Sequence, residues 1–292
     1  MGAAESLSLR QSLPGPVCFV FGGGGSLGAV QVGMMQALSE QMIAPDLVIG
    51  TSVGSLNGAF VAQDPKGATN RLSHIWSRIT REQVFPGGIL SQARTLQHSK
   101  THLFPNSGLA KLIDEFLGAG ATFEELELPC AAVTTEIETA SPHVLKTGPL
   151  QSALLASTAI PGIFPPIERD GRAFYDGGVV SNVPLRQALD MGARSLVVLD
   201  CNFPGHELPE PESLPEVILF TAMVTMRSQA QHEAPLVASH VPVVYIPGPT
   251  AHRISPLNFE HTQHLIERSY DAARPFLDNL KIEGPGLYGP SS

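Results

Sequence analysis

The chain is poor in charge, in aromatic residues and in cysteine, and each scarcity excludes something. Charged residues make up 15% and aromatics 6% of its 292 residues. With 43% hydrophobic residues, this is a globular composition able to bury one large core or two smaller ones. The three cysteines, Cys18, Cys130 and Cys201, are far apart and show no metal-ligand spacing. An odd, scattered set argues against a disulfide framework and for buried, reduced thiols. No apolar run approaches the roughly 18 to 20 residues that span a bilayer. Residues 1–16 lack the basic start and apolar run of a secretory signal. Gly2 and Ser6 fit the short myristoylation pattern, which chance also produces readily. A net charge of −9 argues against nucleic acid and gives no general attraction to anionic membranes. A cytoplasmic protein, at most peripheral at membranes, is expected.

What is present is a regular alternation. "VCFVF" (17–21) is a short apolar run bounded by Pro16 and glycines, a buried strand, and a helix follows from Gly28 to Glu40. "DLVIG" (46–50) is a second buried strand, and "SLNGAFVAQ" starts a second helix. Such alternation predicts parallel strands with right-handed crossovers. The loops after Phe21 and Gly50 then emerge at one edge of the sheet, where open α/β sheets bind ligands. Residues 62–125 are more polar, with one clear helix at "GLAKLIDEFLG", and are expected to form an inserted cap. Strands resume at 130–137, 143–146, 195–200 and 241–247, and an amphipathic helix covers 259–280. One domain over 15–280 is expected, with flexible termini at 1–14 and 281–292.

Three stretches carry chemistry. Gly50-Thr51-Ser52-Val53-Gly54 fits G-x-S-x-G between a strand and a helix. There the glycines relieve a sharp turn, and the helix start points free N–H groups at charge developing near the serine. "FGGGGSLGAVQVG" (21–33) also reads as the dinucleotide fingerprint, Gly23-x-Gly25-x-x-Gly28. That reading wants an acid at the end of the second strand, but Asp46 begins that strand and Thr51-Ser52 ends it. A glycine run instead supplies bare N–H donors to an acyl-transfer site. In "FYDGGVVSNVPLRQALDMGA" (174–193), Asp176 ends a short strand, and Ser181 or Asn182 can cap a helix with Pro184 in its first turn.

In this order, "GGGGSLG", "GTSVG", "ASTAIPGIFPPI" (156–167) and "DGGVVSNVP" (176–184) resemble the patatin-like phospholipase family over most of residues 17–200. The resemblance implies a three-layer α/β/α sandwich with a mostly parallel central sheet and a cap. It implies Ser52 as nucleophile, Asp176 as its partner in a dyad, and the backbone of Gly23, Gly24 and Gly25 as the oxyanion hole. Gly50 and Gly54 form the nucleophile elbow. No cofactor or metal is implied, and the substrate is a lipid or another acyl ester. An ordinary aspartate titrates near 3.9, too acidic for a base at neutral pH, so Asp176 must be desolvated or the oxyanion donors must carry most of the acceleration. One departure is Leu27, where the family usually has Arg or Lys, and it favours a neutral ester or thioester.

Other features admit other readings. Six histidines follow Asp176, in triad order, but none sits in a glycine-rich loop at a strand end. His261 and His264 share a helix without further metal ligands near them. Between Lys66 and Lys111 there are seven basic residues, one acid (Glu82) and the single tryptophan, Trp76. This is either a solvated surface or a mobile cap that meets anionic lipid through Arg71, Arg78 and Arg81. From other classes, a non-catalytic lipid-binding module and a dinucleotide-binding oxidoreductase remain as alternatives.

Overall fold

The structure, a computed structural model, describes residues 8–87, 95–97, 99–202, 207, 210–249 and 254–289. The apolar runs become strands: β1 (Val17–Phe21), β2 (Leu47–Thr51), β3 (Cys130–Glu136) and β4 (Ser141–Leu145). They continue as β5 (Ile167–Arg169), β6 (Arg172–Asp176), β7 (Ser195–Leu199), β8 (Pro242–Tyr245) and β9 (Gly286–Tyr288). Among the described residues these nine form one sheet, ordered β5-β6-β3-β2-β1-β7-β8-β9, with β4 also on β3. From β3 to β9 that order is parallel, and β4, β5 and β6 pair antiparallel. β1, β2 and β7 are buried at every residue, as strands covered on both faces must be.

Helices cover both faces. One layer packs α1 (Ala29–Glu40), α2 (Val53–Gln63), α6 (Leu150–Ser157) and α9 (Thr262–Asn279) against the sheet around Phe19, Phe21 and Val48. On the opposite face, α7 (Leu185–Asp190) and the second half of α8 (Leu214–Ala238) bury Cys18, Val20 and Ile49. The expected sandwich is therefore present.

Some expectations give way. Residues 62–125 hold more than one helix: α3 (Ala68–Trp76), α4 (Arg81–Val84) and α5 (Ser107–Leu117). The long helix α8 has no counterpart in the sequence reading. From 214 to 226 it is apolar almost all round with Glu216 as its one charge, so no helical stripe stands out, and Pro235 reads as a breaker. The described parts of the supposedly flexible ends are tied down. Leu13 is in the core, Arg10 pairs with Asp46 at 2.9 Å, and residues 286–288 join the sheet as β9 on β8. Gly2 and Ser6 lie outside the described residues. Pro184 stands before α7, which begins at Leu185 without a side-chain cap, so neither Ser181 nor Asn182 serves it.

Candidate active site

β1 and β2 run side by side, so their following loops share one sheet edge. Ser52 is the single residue between β2 and α2, with φ 55° and ψ −130°. A non-glycine residue rarely occupies that region, and holding one there costs about 1–3 kcal/mol. The surrounding backbone explains why the positions two before and two after it are glycine. A Cβ on Gly50 would lie 2.3 Å from the Gly54 carbonyl oxygen, and one on Gly54 would lie 2.4 Å from that of Phe21. The Ser52 N–H donates to Ser157 Oγ at 2.9 Å, and Ser157 in turn donates to the Val133 carbonyl at 2.7 Å. Val53 opens α2, so its N–H has no acceptor within the helix.

Asp176 ends β6, paired across to Thr134 of β3, and only 1% of its surface is exposed. Its Oδ1 accepts the Gly178 N–H at 2.7 Å, while Oδ2 is buried with no hydrogen-bond partner. Burial pushes this carboxyl up from 3.8 to about 7, against smaller lowering by the Ser52 hydroxyl and the Gly178 N–H. The hydroxyl is thus close enough to favour the charged carboxylate, although no hydrogen bond to Oδ2 is complete. Such contacts are commonly long in unliganded sites and tighten on substrate. The structure brings Ser52 and Asp176 together.

The glycine loop also meets Ser52. A Cβ on Gly23 would lie 2.9 Å from Ser52 Cβ. Its N–H is already donated to the Asn182 side chain at 3.1 Å. Among the described residues, no acceptor takes the N–H of Gly24 or Gly25. The loop is fixed from behind by Gln31, whose Nε2 donates to the carbonyls of Gly22 and Leu199 at 2.8 and 2.9 Å. Asn57 donates to Gln31 Oε1 at 2.7 Å and accepts from Trp76 Nε1 at 3.1 Å. Ser157, Gln31 and Asn57 lie within the quoted stretches, but nothing in those motifs assigned them a role. Their signal is a polar residue at an otherwise apolar helical position, visible only once the buried face is known.

From Ser52 an apolar cavity of about 100 Å³ opens. Leu56, Phe60, Trp76, Val84, Leu112 and Phe164 are among its walls, so α3, α4 and α5 close it on one side. Trp76 is buried and stacks on Phe259, 6.3 Å between ring centroids. A polar groove lined by Arg78, Arg81, Glu216 and Glu260 shares Ile79 and Phe259 with the cavity. Two of the three arginines expected to face lipid are engaged internally. Arg71 donates to Gln63 and to the Phe116 carbonyl and lies over the Phe60 ring, and Arg81 lies over Phe85 and Phe104. Leu27 is in the core, away from solvent.

Asp46, which a ribose-binding site would need at the ligand edge, sits at the opposite edge and accepts the Val17 N–H at 2.7 Å. Cys18, Cys130 and Cys201 are buried free thiols, and burial raises Cys130 to about 12. Among the described residues, no three His, Cys, Asp or Glu side chains gather in a way that could hold a metal ion. No described helix is long and apolar enough to cross a membrane.

Comparison with known proteins gives consistent results. The family model "Patatin-like phospholipase" matches residues 19–189. Patatin-like phospholipase domain-containing protein 7 of Mus musculus is 31% identical over 63% of this chain and 13% of its own length. Lysophospholipase NTE1 of Mycosarcoma maydis is 30% identical over 68% of this chain and 10% of its own. The chain thus spans a small fraction of these relatives. Among solved structures, VipD from Legionella pneumophila superposes with a TM-score of 0.50 at 16% identity, over 91% of this chain and 67% of VipD.

Proposed function

Because the chain belongs to the patatin-like phospholipase family, we propose that it is a serine acyl hydrolase cleaving fatty-acyl ester bonds of lipids, in the manner of a phospholipase A or lysophospholipase. The observation that carries this reading is the strained Ser52 beside a buried carboxyl at the inner end of an apolar cavity. Ser52 Oγ attacks the acyl carbonyl carbon, and its proton passes to Asp176. The carbonyl π pair moves to oxygen, where the N–H groups of Gly24 and Gly25 and the start of α2 stabilise the charge. Collapse expels the alcohol, which takes the proton from Asp176 and leaves an acyl-serine. Asp176 then takes a proton from water as the water oxygen attacks the acyl carbon, the Ser52 Oγ–acyl bond breaks, and Asp176 returns the proton to Oγ as the fatty acid leaves. At about 7 the carboxyl is well matched to this work, since a base near ambient pH serves best. No step calls on a cofactor.

The apolar walls suit the acyl chain. A second reading, hydrolysis of neutral esters or thioesters, is favoured by Leu27, which offers no cation to an anionic headgroup. Peripheral contact with a lipid surface is part of the proposal. Its support comes from α8, where Leu214, Val217, Phe220 and Val224 are exposed along one face. Ile218 of the same helix packs on the Phe85–Phe164 cluster that walls the cavity, so the exposed row is continuous with the acyl site. Glu212 and Glu216 flank the row, so a lipid surface without net charge fits it better than an anionic one.

The direct test is labelling by a long-chain fluorophosphonate. Wild type should react at Ser52, Ser52→Ala should not react, and Asp176→Asn should react at least about 10²-fold more slowly. Undiminished labelling of Ser52→Ala would refute the assignment.

A further inference from the structure

Asn182 is almost wholly buried and lies between the two halves of the candidate site. Its Oδ1 accepts the Gly23 N–H at 3.1 Å, and its Nδ2 reaches the Gly23 carbonyl at 3.4 Å. One side-chain amide thus addresses both polar groups of one glycine, and this pairing fixes which end is oxygen and which nitrogen. The same oxygen would lie 2.5 Å from a Cβ on Gly23 and 3.1 Å from one on Gly178. Gly178 is the residue whose N–H holds Asp176. The segment carrying Asn182 is itself pinned beside the nucleophile, because Thr51 Oγ1 donates to the Ser181 carbonyl at 2.9 Å.

Resting on the hydrolase reading above, we propose that Asn182 is the positioning residue of the oxyanion site. It takes the Gly23 N–H out of service as a substrate donor. It also sets how closely the loop approaches Ser52, which leaves the N–H groups of Gly24 and Gly25 as the loop's oxyanion donors. An amide is the chemistry this position requires. An apolar side chain would leave the Gly23 carbonyl buried and unpaired, and would leave its N–H only the long contact to the Asn182 backbone carbonyl at 3.4 Å. A carboxylate would accept the N–H but could not donate to the carbonyl, and would set a second negative charge beside Asp176 and the forming oxyanion.

The test separates ground-state binding from oxyanion binding. A long-chain trifluoromethyl ketone adds the Ser52 oxygen to its carbonyl carbon and places an alkoxide in the hole. The matching methyl ketone binds chiefly through its chain. Asn182→Ala should lower kcat/KM and trifluoromethyl ketone affinity together, by about 10²-fold, because misplacement of about 1 Å costs that much. Its methyl ketone affinity should stay at the wild-type level. Trifluoromethyl ketone affinity equal to wild type, or an equal loss for both ketones, overturns the proposal. If Asn182→Ala does not fold, Asn182→Asp keeps the shape and the acceptor. It should weaken the trifluoromethyl ketone and move the acid limb of kcat/KM to higher pH, and an unshifted limb with undiminished affinity overturns the proposal equally. A wild type that forms no adduct at Ser52 would instead overturn the hydrolase reading beneath it, which is a distinguishable result.

Discussion

The Ser52 hydroxyl lowers the pKa of Asp176 against the rise that burial imposes, and the balance leaves the carboxyl at about 7. Two consequences with opposite signs follow. In the proposed mechanism the ionised carboxylate is the base, so kcat/KM on a soluble ester should rise with pH through about 7 and level off above it. Folding prefers the protonated form. Stability from this group is complete below the ordinary value of 3.8 and is lost as pH climbs to about 7. Three pH units at about 1.4 kcal/mol each set an upper bound of roughly 4 kcal/mol. Asp176→Asn cannot ionise, so it should lose at least about 10²-fold in kcat/KM, equal wild type in stability near pH 4 and be more stable above pH 7 by up to that amount. Urea denaturation at several pH values checks this. A stability difference that does not change with pH would mean that Asp176 is not a buried titrating acid.

Much of this geometry was legible because the residues involved obey local rules. Val17–Phe21 and Leu47–Thr51 are short and apolar, with glycines at or just beyond their ends, so their pairing and shared edge follow from the alternation alone. Ser52 was marked by steric need: glycines sit where a Cβ would strike the backbone of Phe21 or Gly54. Asp176 gained meaning only from its order among the other motifs. What could not be read depends on long-range packing. Asn182, apparently a helix cap, instead reaches back to Gly23 in the first strand's loop. Arg71 and Arg81, apparently solvent-facing, turn inward onto aromatic rings that no local pattern places beside them. In α8 the first half is apolar both toward the core and toward solvent, which erases the periodicity by which a helix is recognised.

The cavity makes chain length a measurable property of the walls. Leu112 is buried in α5, lines the cavity and packs in the cluster with Phe85 and Phe104. Leu112→Trp fills space that an acyl chain would use, at a folding cost of about 1–3 kcal/mol from overpacking. The expected outcome is a fall of at least about tenfold in kcat/KM for a long-chain ester, with a short-chain ester changed less than about threefold. Parallel losses on both substrates would indicate damage to the catalytic groups rather than to a chain-binding wall.

The row on α8 tests the proposed contact with a lipid surface. Leu214 is 62% exposed, Val217 45%, Phe220 37% and Val224 46%, and this spacing puts them on one helical face. Burying one large apolar side chain completely is worth about 1.5–3 kcal/mol, so partial insertion of two should change partitioning by about tenfold or more. Phe220→Ser with Val224→Ser should therefore reduce co-sedimentation with phosphatidylcholine vesicles by at least that factor, and leave turnover of a soluble ester intact. Adding anionic lipid should not restore binding, because the chain carries a net charge of −9 and two of the three cap arginines are engaged internally. If the double variant partitions like wild type while Arg78→Glu abolishes binding to anionic vesicles, the basic surface and not α8 is the docking face. The continuity between the exposed row and the cavity wall at Ile218 would then be a feature of packing alone.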